Sequence, residues 1–174
     1  MRWFFGYGSL IWRPGFEYEA RQPARLANHA RRFWQGSPDH RGSPQQPGRV
    51  VTLTHLAGHE CQGVVFGVSE TAFESVLQYL DIRESGGYER TIQTVALNDG
   101  RQMDAIVYVG RPENPSYLGP ADPVAMARQI SESHGPSGPN LEYLLRLRTA
   151  LLELGCLDEH IEEIVAHLPQ GTDP

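Results

Sequence analysis

Trp3, Phe4 and Phe5 open the chain as a short apolar run, which glycines break at Gly6 and Gly8 before Leu10-Ile11-Trp12. Aromatic side chains suit a packed, pleated surface, so the run predicts a buried first strand that leaves the core into a turn. Residues 25–34 and 49–54 predict two further strands able to pair, and 62–68 predict another. Between the first two, 36–48 is rich in Gly, Pro and Ser and reads as a loop long enough to be a functional element. Gly58, between His55 and His59, reads as part of a hairpin. Ser69 caps a helix in which Phe73, Val76, Leu77 and Leu80 form one apolar stripe, and Gly86-Gly87 stops it. Residues 88–97 and 103–109 read as a hairpin around Asn98-Asp99-Gly100. The last third is helical. Asp122-Pro123 starts one helix, Leu141, Leu144, Leu145, Leu151 and Leu152 mark a second, and Asp158 caps a third carrying Ile161, Ile164, Val165 and Leu168. Residues 169–174 are expected to fray. With no repeat and no linker, the pattern predicts a single domain over 1–174 of the α+β class, a strand-built centre with helices around it.

Composition narrows the chemistry. The net charge of −6 argues against a nucleic-acid binder, and all 15 basic residues are arginine. Without lysine, Schiff-base chemistry, pyridoxal attachment and a lysine-dependent phosphate loop are excluded. Cys61 and Cys156 form neither a CxxC pair nor a disulfide framework and read as core residues of a protein in a reducing compartment. No leader pattern and no bilayer-length apolar stretch is visible, so the expectation is a cytoplasmic protein without membrane insertion.

Three segments carry candidate chemistry. The turn over Phe5, Gly6, Tyr7, Gly8, Ser9 and Leu10 leaves backbone N–H groups unshielded by side chains, a setting that holds an anionic or developing oxyanion oxygen. Glu84, in the last turn of its helix, feels the negative end of the helix dipole. Apolar surroundings would raise its pKa further, towards proton transfer, although Arg83 and Arg90 are at hand for simple ion pairs. Arg31, Arg32 and Arg41, set among Phe33, Trp34 and a flexible loop, suit a carboxylate-bearing ligand or else snorkel along a surface strand. Other features fade. His55 and His59 lack a third ligand for a metal. His160 and His167, on the terminal helix, are expected in solvent. Gly6-x-Gly8 lacks the rest of a dinucleotide fingerprint, and Ser9 lacks the elbow of a nucleophilic serine.

Jointly, Phe5-Gly-Tyr-Gly-Ser-Leu-Ile-Trp, Arg31-Arg-Phe-Trp-Gln-Gly-Ser-Pro-Asp-His-Arg-Gly and Arg83-Glu-Ser-Gly-Gly-Tyr-Glu-Arg resemble the glutathione-specific γ-glutamylcyclotransferase (ChaC-like) family. Residues 47–53, 114–120 and 135–138 with Asn140 and Tyr143 extend the resemblance over nearly all of 2–145. It implies a small mixed β-barrel flanked by helices, no metal or organic cofactor, and conversion of glutathione to 5-oxoproline and cysteinylglycine. It places the substrate loop on Phe5 to Leu10 and the catalytic carboxylate on Glu84, and leaves Glu89 in reserve as base. Ser85 stands where relatives often carry lysine. Tyr143 is a candidate for positioning a carboxylate, and one of Arg32, Arg41 and Arg49 for pairing with the substrate's glycyl carboxylate. The expected partner is the small-molecule substrate, with no nucleic acid. Oligomeric state is left open and a monomer suffices. Alternatives are a cyclotransferase of the same fold for other γ-glutamyl compounds, or a non-catalytic regulator of a cation transporter.

Overall fold

Five strands, β1 (Arg2–Gly6), β2 (Ala20–Ser37), β3 (Gly48–Val68), β4 (Tyr88–Leu97) and β5 (Gln102–Gly110), close into a barrel in the order β1-β3-β2-β4-β5. This computed structural model describes residues 1–169; the frayed tail expected over 169–174 lies, Pro169 apart, outside the described residues. Together with the helices below, it is the α+β architecture with a mixed barrel that the resemblance implies. The chain packs as two compact units, Met1–Ala30 with Leu53–Arg111, and Arg31–Thr52 with the chain from Pro112 onwards.

In the first unit β1 pairs antiparallel with β3, Phe4 opposite Phe66, and parallel with β5, Phe4 opposite Ile106. Phe4, Phe5, Val64, Val65, Phe66 and Val107 are all buried there. Each such side chain contributes about 1.5–3 kcal/mol by leaving water. Helix α1 (Glu70–Arg83) lays Phe73, Val76 and Leu80 into this core, with the Phe73 ring stacked on Phe4 at 5.8 Å. Ser69 caps it as expected, its hydroxyl accepting from the Ala72 N–H. β4 and β5 form the expected hairpin, closed by the Gly100 N–H donating to Leu97 O.

One expectation is corrected. Residues 49–54 and 62–68 are not separate strands; β3 runs unbroken through Gly58. Gly58 takes a positive φ of 79° inside the strand, beside Asn28 at φ 57°, and its N–H donates to Asn28 Oδ1 at 3.0 Å. The glycine thus absorbs an irregularity within a long ribbon, as bulges do, and turns nothing.

The second unit holds helices α2 (Pro123–Glu132), α3 (Asn140–Glu153) and α4 (Glu159–Ala166), with a small ribbon of β6 (His134–Gly135) and β7 (Gly138–Pro139) that the sequence pattern does not reveal. Ile130, Leu144, Leu147, Leu151, Ile161 and Ile164 form its buried apolar centre. Asp122 and Asp158 cap α2 and α4 as expected. Asn140 is fully buried and clasps the Arg49 backbone, Oδ1 accepting from the N–H at 2.7 Å and Nδ2 donating to the carbonyl at 2.8 Å. A second correction falls here. His160 is not in solvent: its Nε2 accepts the Phe33 N–H at 3.0 Å, and burial first, then Arg32, pull its pKa down to about 4.

Candidate active site

The chain can fold back after β1 because Gly6 has no side chain. A Cβ there would stand 2.7 Å from Leu10 Cβ, well inside contact distance. Gly8 then caps a single 3-10 turn, Ser9–Ile11, whose first internal bond is donated by Ile11 to Gly8 O at 3.0 Å. The N–H groups of Ser9 and Leu10 lie at the N-terminal end of that turn, before its internal ladder begins. Phe5 and Leu10 are buried on either side and anchor the turn. Tyr7 is buried too, its hydroxyl donating to Tyr108 O at 2.6 Å.

Glu84 closes α1 as its C-cap, its N–H donating to Leu80 O at 2.8 Å. Its side chain is only 18% exposed, and burial pushes its carboxyl pKa above the ordinary value while Arg83 beside it works the other way. Arg83 Nε lies 3.6 Å from Glu84 Oε1, so the simple ion pair that the sequence allows does form. The same guanidinium donates to Ser9 Oγ at 2.9 Å and to Arg13 O and Pro14 O at 2.8 Å each. One cation therefore touches both the glycine turn and the carboxylate.

Around them, Tyr108 on β5 donates its hydroxyl to Asp81 Oδ1 at 2.6 Å, and Arg90 pairs with Asp81 Oδ2 at 3.0 Å. Burial, then the hydrogen bond and charge of Asp81, and more weakly the charge of Glu84, raise the Tyr108 pKa, so this phenol stays a donor. Sequence reasoning missed Tyr108 and Asp81 because their pairing joins a helix to a strand 27 positions away. Glu89, the reserve base, is exposed and paired with Arg111 at 2.7 Å.

The remaining candidates lie in the second unit. Tyr143 is buried and its hydroxyl accepts the Val51 N–H at 3.4 Å. Arg49 donates to the Phe33 and Gly119 carbonyls and to the Gln129 side-chain Oε1, bonds internal to this unit. Arg41 donates to Pro139 O and sits 5.9 Å from the Tyr143 ring centre, while Arg32 stands over Trp34. Arg31 does not snorkel: it is buried against Asp158 at 2.6 Å. Cys61 and Cys156 are buried thiols, as expected. Among the described residues no three His, Cys, Asp or Glu gather to hold a metal ion, and no helix is long and apolar enough to cross a membrane.

A half-buried carboxylate of raised proton affinity, linked through Arg83 to the glycine turn, is able to move a proton beside an oxygen that becomes negative. Barrel and turn together present a carboxylate and a set of backbone donors suited to acid–base chemistry. The chain belongs to the ChaC-like protein family, whose model matches residues 2–170. Glutathione-specific gamma-glutamylcyclotransferase 1 of Homo sapiens is 46% identical over 171 residues, 94% of this chain and 76% of the human one. The glutathione-specific gamma-glutamylcyclotransferase of Saccharomyces cerevisiae is 33% identical, over 90% of this chain and 88% of its own. A crystal structure of the yeast cyclotransferase specific to glutathione superposes with a TM-score of 0.88 at 30% identity, covering 99% of both chains. A more distant structure, named gamma-glutamyl cyclotransferase, shares the fold at a TM-score of 0.60 and 20% identity.

Proposed function

We propose that the chain is a single γ-glutamylcyclotransferase domain that degrades reduced glutathione to 5-oxoproline and cysteinylglycine. The observation that carries the reading is Glu84, half-buried and of raised proton affinity, held through Arg83 to the Ser9 turn. The names of the human and yeast relatives supply the substrate. In the reaction the substrate's α-amine attacks its own γ-carbonyl carbon. The Glu84 carboxylate takes the proton that the amine must lose, and the Ser9 and Leu10 N–H groups hold the carbonyl oxygen as it becomes negative. When the intermediate collapses, the bond to the cysteinyl nitrogen breaks and Glu84 returns the proton to that leaving amine. Because nucleophile and electrophile share one molecule, the protein's main task is to hold the chain in its ring-closing shape. The atoms balance without water, oxidant or cofactor. Tyr143 keeps its substrate role as a reading from the resemblance.

The test is release of cysteinylglycine and 5-oxoproline from reduced glutathione by the wild type and by Glu84→Gln. The substitution keeps size and removes the base, so turnover is expected to drop at least ~100-fold in a folded variant. Wild-type activity should also fall on acidification at a pH above the ordinary carboxylate range, since the base works only when deprotonated and its pKa is raised. Turnover of γ-glutamyl-alanine in place of glutathione would move the substrate to other γ-glutamyl compounds. Equal activity of both proteins would remove Glu84 from the mechanism.

A further inference from the structure

Arg83 makes more polar contacts than an ion pair requires. Its guanidinium reaches Ser9 Oγ, Arg13 O, Pro14 O and, at 3.2 Å, the Tyr79 hydroxyl, while Nε lies beside Glu84. The four oxygens come from α1 and from the segment that follows β1, and a planar fork with five donors is the only side chain that can serve them together. The tie is built into its surroundings: Gly15 takes φ 76° under the Tyr79 hydroxyl, where a Cβ would stand 3.3 Å from Arg83 Nη1, and Phe16 packs edge-on against Tyr79 at 6.4 Å. Without the fork, Ser9 and the Arg13–Pro14 backbone lose their bonds to the helix end, while Glu84 keeps its own backbone bond to Leu80.

We propose that Arg83 is a positioning residue, a strap that sets the Ser9 turn at a fixed distance from Glu84 so that oxyanion donors and base act on one substrate carbonyl. This rests on the cyclotransferase reading for its consequence in turnover, but the strap itself is read without turnover. The charged and titratable groups that face Glu84 are Arg83 from its own helix and Tyr108 from β5, with Asp81 and Arg90 joined to Tyr108. Two effects of Arg83 can therefore be separated, its reach and its charge. Arg83→Lys keeps the charge and loses the fork; Arg83→Met loses both.

Hydrogen exchange across residues 9–14 reads the strap, and steady-state kinetics against pH read its consequence. Both variants should exchange faster than wild type over 9–14, with exchange in the β4–β5 hairpin unchanged. In both, kcat on glutathione should fall about 100-fold with KM changed far less, the cost of a misplacement near 1 Å. The acid limb of kcat should move to higher pH in Arg83→Met alone, because only there does Glu84 lose its neighbouring cation. A merely structural residue would lower the folded fraction and leave kcat per folded molecule of Arg83→Lys near that of the wild type. Should Arg83→Met not fold, Arg83→Lys and Ser9→Ala carry the test through exchange at the same residues. Exchange over 9–14 unchanged in the variants, or full turnover by Arg83→Lys, overturns the proposal. A wild type that is inactive on every γ-glutamyl compound, with exchange responding as described, sinks the cyclotransferase reading and leaves the strap standing.

Discussion

His160 makes the stability of this protein depend on pH, and the dependence can be isolated by one substitution. Its imidazole is held neutral: Nε2 accepts the Phe33 N–H, burial disfavours the cation, and Arg32 repels it more than Asp158 attracts it. The folded pKa of about 4 lies below the ordinary 6.5, so between these values the unfolded chain binds a proton that the native protein refuses. Stability from this residue is therefore complete above pH 6.5 and drains away as pH falls towards 4. Integrating the proton difference gives a loss of about 2 kcal/mol by pH 5 and about 3 kcal/mol by pH 4, relative to pH 7. His160→Gln retains an oxygen able to accept from Phe33 and cannot titrate. Urea unfolding of both proteins from pH 7.5 to 4 subtracts the carboxylates common to the two. The wild type should lose its advantage over the variant by those amounts as pH falls. Parallel curves would refute the half-buried, neutral histidine.

Gly6→Ala should destabilise the fold by about 1–3 kcal/mol, since the new methyl must displace Leu10 or the turn itself, and should lower turnover more than melting temperature alone explains. Thermal unfolding and kinetics on the same sample decide it; an unaltered protein would show that the turn tolerates a side chain. Arg31→Met should cost about 3 kcal/mol, because Asp158 is left with a largely buried, uncompensated charge, and adding Asp158→Asn should recover part of the loss. A double-mutant cycle by chemical denaturation reads the coupling, and strictly additive losses would rule the pair out as the cause.

Much of the fold is legible along the chain because its signals are local. The Ser69, Asp122 and Asp158 caps, the apolar stripe of α1, the Asn98-Asp99-Gly100 hairpin and the aromatic first strand each rest on residues within a turn or two of one another. The same locality exposed the glycine turn and Glu84, since a strand breaking into glycines and a carboxylate at a helix end are both short-range patterns. Where a residue's meaning depends on a distant neighbour, the sequence misleads. Gly58 resembles a turn until Asn28, thirty positions away on the other strand, accepts its N–H. His160 sits on a helix that looks amphipathic and exposed until the Phe33 backbone claims its ring. Arg83 reads as an ordinary partner for Glu84 until the backbone of Arg13 and Pro14 folds under it. Sequence by itself determined the helices, the first strand and the β4–β5 hairpin, the absence of lysine chemistry and the candidate base, because propensity, capping and composition act on neighbours and inventories. Only the tertiary structure decided which cation holds the turn and which groups leave water. Hydrogen bonds over seventy or more positions and desolvation are properties of the packed chain, set by which surfaces meet.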